Sequence, residues 1–451
     1  MECELRKETP LPGEDGMQKE QFSNGKKILF MPHCGVLAHA GRMLLVAQAL
    51  RERFSGMIEF AGKGKYGVIF PESGFTFHEI EGGSPLNKPY ALYQKRWSMF
   101  ELPAFFRRMY HSYLEDIARE LALYKKVKPD LVVWDARFTV PVSAEVFGVP
   151  IISVLPAYGT PYSTIRPGLL RRNPIFIRYP WLLFVIRLPQ KVQDGLLDSF
   201  SKWFFYLFVR YINRIRIAYG LEPVMSMSDL AEKLQTVIMP DVEMVVPTKD
   251  LPPNFHYVGP LVWQPQMEVP EPIKDLQDVI YVSMGSTGSP DVLKLLIGAC
   301  SQMREFQVVI TTGELIDSTR LGSLPENLHV YKSLPGIEMA KRTRLVICHG
   351  GAGTIAQALS QGVPIIGIPF NAQQDFVMDR IVSLEAGIKL DPSELSPQKI
   401  RQTVDEVLAN ESYRKVAATM ASKYTLERGP QRAAEIILRK LSDIRAKEES
   451  T

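Results

Sequence analysis

The chain has 451 residues, and its 53 Lys and Arg barely outnumber its 49 Asp and Glu, giving a formal net charge of +4. That excess is too small and too dispersed to imply nucleic-acid binding. A hydrophobic share of 46% with 23% charged residues fits a globular chain of two or three domains. Four cysteines, Cys3, Cys34, Cys300 and Cys348, form no C-x-x-C pair. This argues against a disulfide framework or a structural zinc and points to a reducing, cytoplasmic setting.

Residues 1–26 are charged, carry Pro and Gly and lack an apolar centre, so they read as a disordered tail and not as a signal peptide. Order begins at Lys27 with the strand "KILFMP", followed by a helix over about Arg42–Arg53. "MIEFAG" and "FTFHEI" read as strands, and an amphipathic charged helix runs from about Leu102 to Lys125. "PDLVVWD" is a strand ending on an acid, "VSAEVFG" a helix and "VPIISVLP" the next strand. Strands alternating with helices predict a parallel sheet with helical crossovers.

Between residues 166 and 219, aromatic and aliphatic side chains crowd together with many Arg and Lys and few acids. This stretch reads either as helices packed over a binding cleft or as an amphipathic surface lying in a membrane interface. Its apolar runs, such as Trp181–Ile186, fall far short of the roughly 20 residues that a spanning helix needs. A proline-rich segment, 254–275, has little periodicity and is the linker candidate. The strand and helix alternation then restarts with "VIYVSMG", "VLKLLIGACSQM", "FQVVITTG" and "NLHVYKSLP". The expected organisation is a tail (1–26), a first domain (27–253), the linker (254–275) and a second domain (276–451) whose last helix can pack back on the first. Two doubly wound α/β sheets facing each other would place a ligand cleft beyond the carboxyl ends of their strands.

The most informative segment is "RLVICHGGAGTIAQALSQGVPIIGIPF", residues 344–370. A buried strand, Leu345–Cys348, stops at His349-Gly350-Gly351-Ala352-Gly353-Thr354, and a helix and a second strand, Ile365–Ile368, follow. A helix start aims free backbone N–H groups and the positive end of its dipole at the turn, glycines permit close approach, and Thr354 can cap the helix. These features predict a phosphate site.

"HGGAGT", "VIYVSMGS", "PDLVVWD" and "YVGPL" together resemble the UDP-glycosyltransferases of family 1, with the bacterial macrolide-type and plant natural-product branches closest in pattern. The resemblance runs from Lys27 to about Leu441. It implies a GT-B fold: two Rossmann-like domains, the first holding the acceptor and the second the nucleotide sugar. It also implies inverting transfer with no metal, the UDP-sugar being a co-substrate and not a cofactor.

By this resemblance His39, in "GVLAHAGRMLL", is the general base, with Ala38 where the family has Gly and with His33 as a rival on the same loop. Asp135 is the acid that holds the histidine. Its other readings are a helix cap or a partner of Arg137. His349, Gly351, Gly353 and Thr354 form the diphosphate cradle, and Ser286, otherwise a plain turn serine, faces it. Ser333 and Gly336 stand where plant members carry a stacking Trp and a Gln, so base recognition falls to backbone groups around Leu334 and Ile337. Gln357 replaces a ribose-binding Glu, and Gln373 and Gln374 replace an Asp-Gln pair on the sugar, with Asp375 one residue late.

The resemblance thus implies transfer of a hexose from a UDP-sugar to a hydroxyl of a lipophilic small molecule or lipid. The partners are those two substrates, with no nucleic acid and with peripheral membrane contact through 166–219. A nucleotide-sugar epimerase of the same fold, or a non-catalytic nucleotide-sugar-binding or activator protein, are the competing readings.

Overall fold

The computed structural model describes residues 25–80, 102–164, 206–285 and 288–449. Most of the expected tail, most of the basic aromatic stretch and Ser286 lie outside the described residues.

Two parallel sheets organise the chain. The first has seven strands: β1 (Lys27–Pro32), β2 (Met57–Gly62), β3 (Thr76–Glu79), β4 (Leu131–Asp135), β5 (Ile151–Val154), β6 (Thr236–Met239) and β7 (Phe255–Tyr257), in the order β3-β2-β1-β4-β5-β6-β7. The second has six: β8 (Val279–Ser283), β9 (Val308–Thr311), β10 (Leu328–Tyr331), β11 (Thr343–Cys348), β12 (Ile365–Gly367) and β13 (Gly387–Lys389), in the order β10-β9-β8-β11-β12-β13. Both orders reverse at the first strand, beside β1 and β8. Loops on either side of such a reversal part at the carboxyl edge and leave a crevice there. β4 is buried along its whole length and β1 at all but its first residue. That explains their continuous apolar runs, since helices cover both faces of a parallel sheet.

The helices that bear on function are α1 (Leu37–Arg51), α2 (Leu102–Val127), α3 (Val140–Phe147), α4 (Pro290–Cys300), α5 (Gly336–Ala340), α6 (Ala352–Ser360), α7 (Ala372–Ser383), α8 (Pro397–Ala409) and α9 (Arg428–Glu449). α1 starts five residues earlier than the sequence suggests. Its N-cap is Val36, with no capping side-chain bond, so none of the usual polar start signals marks it. The segment expected to be linker begins inside the first sheet, because Phe255–Tyr257 pairs with β6 as β7.

The last helix crosses to the first sheet. Ala433, Ala434, Ile437 and Leu441 of α9 join one buried cluster with Ile28, Met43, Val46 and Leu50, and Arg53 pairs with Glu435 at 2.9 Å. Further ties between the halves are the Lys65–Glu314 ion pair, two bonds donated by the Arg380 guanidinium to Met244 O (3.0 and 2.9 Å), and edge contact of the Tyr158 and Phe376 rings. Among the described residues no helix is long and apolar enough to cross a membrane.

Candidate active site

The carboxyl edge of the first sheet gathers the charged groups. β1 leaves the sheet at Pro32, turns through His33–Val36 and enters α1, so His39 sits in the first helical turn and not on the preceding loop. β4 ends on Asp135, whose side chain is 1% exposed. His39 Nδ1 lies 2.9 Å from Asp135 Oδ1. The backbone ties the two elements together at the same level, His33 N–H donating to Asp135 O at 2.9 Å. The rival His33 has its Nδ1 engaged locally, accepting the Gly35 N–H at 3.2 Å, and its ring meets that of His39 edge-on.

Arg137 does not pair with Asp135. Its Nε donates to Oε1 of the fully buried Glu120 at 2.6 Å, and Thr139 and Ser143 hydroxyls donate to the same carboxylate. This closed network from α2 pins the turn between β4 and α3, where Ala136 holds a left-handed φ of 53°. Such a conformation costs a non-glycine residue on the order of 1–2 kcal/mol, and the buried bonds around it offset that.

The real partner of Asp135 besides His39 is Arg42, which the sequence reading did not single out. Arg42 lies one turn beyond His39 on α1 and is 9% exposed. Its Nε is 2.6 Å from Asp135 Oδ2, and its Nη2 is 2.6 Å from His39 Nδ1. The i, i+3 spacing was visible, but it carries meaning only once the helix is known to begin before His39. Gly41, between them, is required by packing: a Cβ there would come within 2.6 Å of the Trp263 side chain.

On the second sheet, β11 runs into the glycine turn and α6. Gly350 has φ +80°, so it serves as the left-handed corner that glycine alone enters freely. The N-cap of α6 is Gly351, and no side chain caps it, so the first N–H groups of the helix are left for a ligand. Thr354 is therefore not the cap; it is the third residue inside the helix, because Ala352 and Gly353 already carry helical geometry. A Cβ at Gly353 would meet nothing within 4 Å, so open space lies beside the turn. His349 is 7% exposed, and its Nδ1 is buried without a hydrogen-bond partner. Burial pushes its pKa down to about 4, a backbone bond with Ser283 opposing, so at neutral pH the ring is uncharged. Where the neutral ring carries its proton on Nδ1, that N–H lacks a partner and could meet an anionic group such as a diphosphate beside the free helix N–H groups.

Around α5, Leu334 is buried, and the Ile337 N–H donates to Gln264 Oε1 at 2.9 Å, a contact from the segment after β7 with no signature in the sequence. Gln357 packs over Gly336, where a Cβ would lie 2.3 Å from its Oε1. At the start of α7, Gln373 is partly exposed. Gln374 is buried, and its Oε1 accepts the Phe370 N–H at 2.8 Å. Asp375 pairs with Lys389 at 3.1 Å.

Between the two edges lies a pocket lined by Tyr158, Asp241 and Val246 from the first half and by Ala352, Ile355 and Tyr424 from the second. Burial raises the Asp241 carboxyl to about 6, with the Ala157 N–H bond and the nearby Arg42 charge opposing. Among the described residues no group of three His, Cys, Asp or Glu side chains is placed to hold a metal ion.

The chain is similar to several proteins named as glycosyltransferases. Residues 296–439 match the model of the EryCIII-like C-terminal domain, named for erythromycin biosynthesis protein CIII. A PGL/p-HBAD biosynthesis rhamnosyltransferase of Mycobacterium bovis (strain BCG / Pasteur 1173P2) is 28% identical over 412 residues, covering 89% of this chain and 85% of its own. The uncharacterized UDP-glucosyltransferase YdhE of Bacillus subtilis (strain 168) is 31% identical over 192 residues, 41% of this chain and 48% of its own. Among solved structures, the glycotransferase of kitacinnamycin superposes with a TM-score of 0.65 at 18% identity, covering 92% of this chain and 98% of that one.

Proposed function

We propose that this chain, whose fold is GT-B, is a family 1 glycosyltransferase that transfers a hexose, with inversion, from a UDP-sugar to a hydroxyl of a lipophilic acceptor. The observation that carries the reading is the pairing of His39 with the buried Asp135 at one sheet edge, opposite an uncapped, glycine-lined helix start at the other.

In the proposed reaction the acceptor hydroxyl lies against His39 Nε2. The ring takes its proton as the oxygen attacks the anomeric carbon. Asp135 orients the ring through Nδ1–H and stabilises the cation that forms. The bond from the anomeric carbon to the diphosphate oxygen breaks, and that oxygen leaves with the electron pair. Attack from the face opposite the leaving group inverts the centre. Charge that builds on the diphosphate is met by the free N–H groups of Gly351, Ala352 and Gly353, the Thr354 hydroxyl and a ring N–H of His349. Ser286 adds its hydroxyl to the cradle in this reading. Backbone groups at Leu334 and Ile337 face the base, Gln357 the ribose, and Gln373 and Gln374 the sugar. Engaging Ile337 N–H requires Gln264 to release it.

Exposed apolar side chains support a lipophilic acceptor and a peripheral contact with membranes. Phe138, just past Asp135, is 48% exposed. Ile217 is 61% exposed, and Tyr206 and Leu207 are exposed beside the exposed Arg210 and Arg214. One buried exception is Arg216, which forms a two-pronged pair with Glu145 (2.6 and 2.9 Å) and so contributes to packing and not to a basic surface.

Incubation with UDP-glucose and a panel of hydrophobic alcohols and phenols, followed by mass detection, tests the reaction. Glycosides are expected with the apolar acceptors. Products from dTDP-hexoses but not from UDP-hexoses would refute the uridine assignment, and no product from any donor would refute the acceptor class. Co-sedimentation with anionic liposomes, lost at high salt, tests the membrane contact.

A further inference from the structure

The reaction above leaves Arg42 without a task, although it touches both members of the His39–Asp135 pair. A guanidinium donates at every accessible pH and has no acceptor atom. Its Nη2 lies 2.6 Å from His39 Nδ1, while Asp135 Oδ1 lies 2.9 Å from the same nitrogen. A neutral imidazole nitrogen either carries a proton and donates or carries a lone pair and accepts. Nδ1 cannot serve both neighbours. When it donates to Asp135, the lone pair is on Nε2 and the ring can act as a base there. When it accepts from Arg42, the proton is on Nε2 and the ring cannot.

Other contacts leave the competition open. Arg42 Nε is 2.6 Å from Asp135 Oδ2, yet neither atom has an aligned hydrogen-bond partner, so charge holds the pair together but does not fix its orientation. The Asp241 carboxyl at the exit of β6 feels the Arg42 charge and offers the guanidinium a second anion. From the β1 loop His39 is faced by the His33 ring, with centroids 5.9 Å apart.

We propose that Arg42 is a positioning residue that holds His39, in the absence of substrates, with its proton on Nε2, and that transfer proceeds from the arrangement in which Asp135 has taken Nδ1–H. The proposal rests on the reading of His39 as the base. It adds a control on that base: the site is switched by which neighbour owns a single nitrogen.

Nitrogen NMR of the full chain with ring-labelled histidine, free of donor and acceptor and at a pH where the ring is neutral, reads the tautomer directly. The His39 signals are assigned by their loss in His39→Gln. The parent is expected to show protonated Nε2 and unprotonated Nδ1, and Arg42→Met is expected to exchange the two. A parent already protonated on Nδ1 overturns the proposal with no need of a folded variant. An unchanged tautomer in a folded Arg42→Met protein overturns it as well. Because no substrate is present, the outcome is independent of whether His39 is the base, which turnover by His39→Ala decides separately.

Discussion

The two edges that face each other across the cleft are built from different materials. The first is assembled from charged side chains: a carboxylate, a guanidinium and an imidazole within 3 Å of one another. In the second the proposed binding groups are mostly backbone: a glycine turn, uncapped helix N–H groups and a histidine kept neutral by burial. Moving a proton requires groups whose charge can change. Holding an anion that is charged throughout requires fixed dipoles whose orientation is set before the ligand arrives.

If that contrast is right, the largest effect belongs to the side-chain edge. His39→Ala should lower kcat by roughly 100-fold or more, the usual range for a positioned general base, with UDP-glucose affinity unchanged by calorimetry. Activity kept in His39→Ala but lost in His33→Ala would transfer the role to the other ring.

The second prediction uses pH. His349 titrates near 4 in the folded chain against 6.5 for a free ring, so between those values the unfolded chain binds more protons and acid favours unfolding. Stability from this residue is intact above pH 6.5 and lost as pH falls towards 4, by about 3 kcal/mol in full. Asp241 works in the opposite sense, its folded value of about 6 lying above the 3.8 of a free carboxyl, so acid favours the folded chain over that window. Denaturant titrations between pH 7 and 4 should therefore show His349→Gln holding its stability on acidification better than the parent, and Asp241→Asn holding it worse. Parallel curves for all three proteins would show that neither group is perturbed.

Smaller effects test the backbone edge. His349→Ala should weaken UDP-glucose binding by about 1.5–3 kcal/mol, a bond from a neutral donor to an anion, with kcat less affected than affinity. Smaller still, Thr354→Ala should change stability by less than about 0.5 kcal/mol, since the residue caps nothing, while binding weakens measurably if its hydroxyl meets the diphosphate. A stability loss near 1 kcal/mol would restore it as a cap.

The sequence disclosed what depends on local pattern. Continuous apolar runs such as Leu131–Trp134 and Leu345–Cys348 marked buried parallel strands, and the glycines after His349 marked the turn into an uncapped helix start. Asp135 stood out as an acid closing an apolar strand. The start of α1 was hidden because Val36 offers no polar cap, and with it went the one-turn relation of His39 and Arg42. Pairings across long stretches of chain were equally silent: Arg137 chose Glu120, and Gln264 reached Ile337, through tertiary proximity that no spacing encodes.

The return of α9 to α1 has a consequence for how the chain is made. Ile28, Met43 and Leu50 are buried partly by Ala433, Ile437 and Leu441, residues some four hundred positions later. During synthesis the first sheet emerges early, but one of its helices keeps an uncovered apolar face until about four hundred further residues have left the ribosome. Closing that face is a late, long-range event, and a nascent or prematurely terminated chain exposes it to chaperones and proteases.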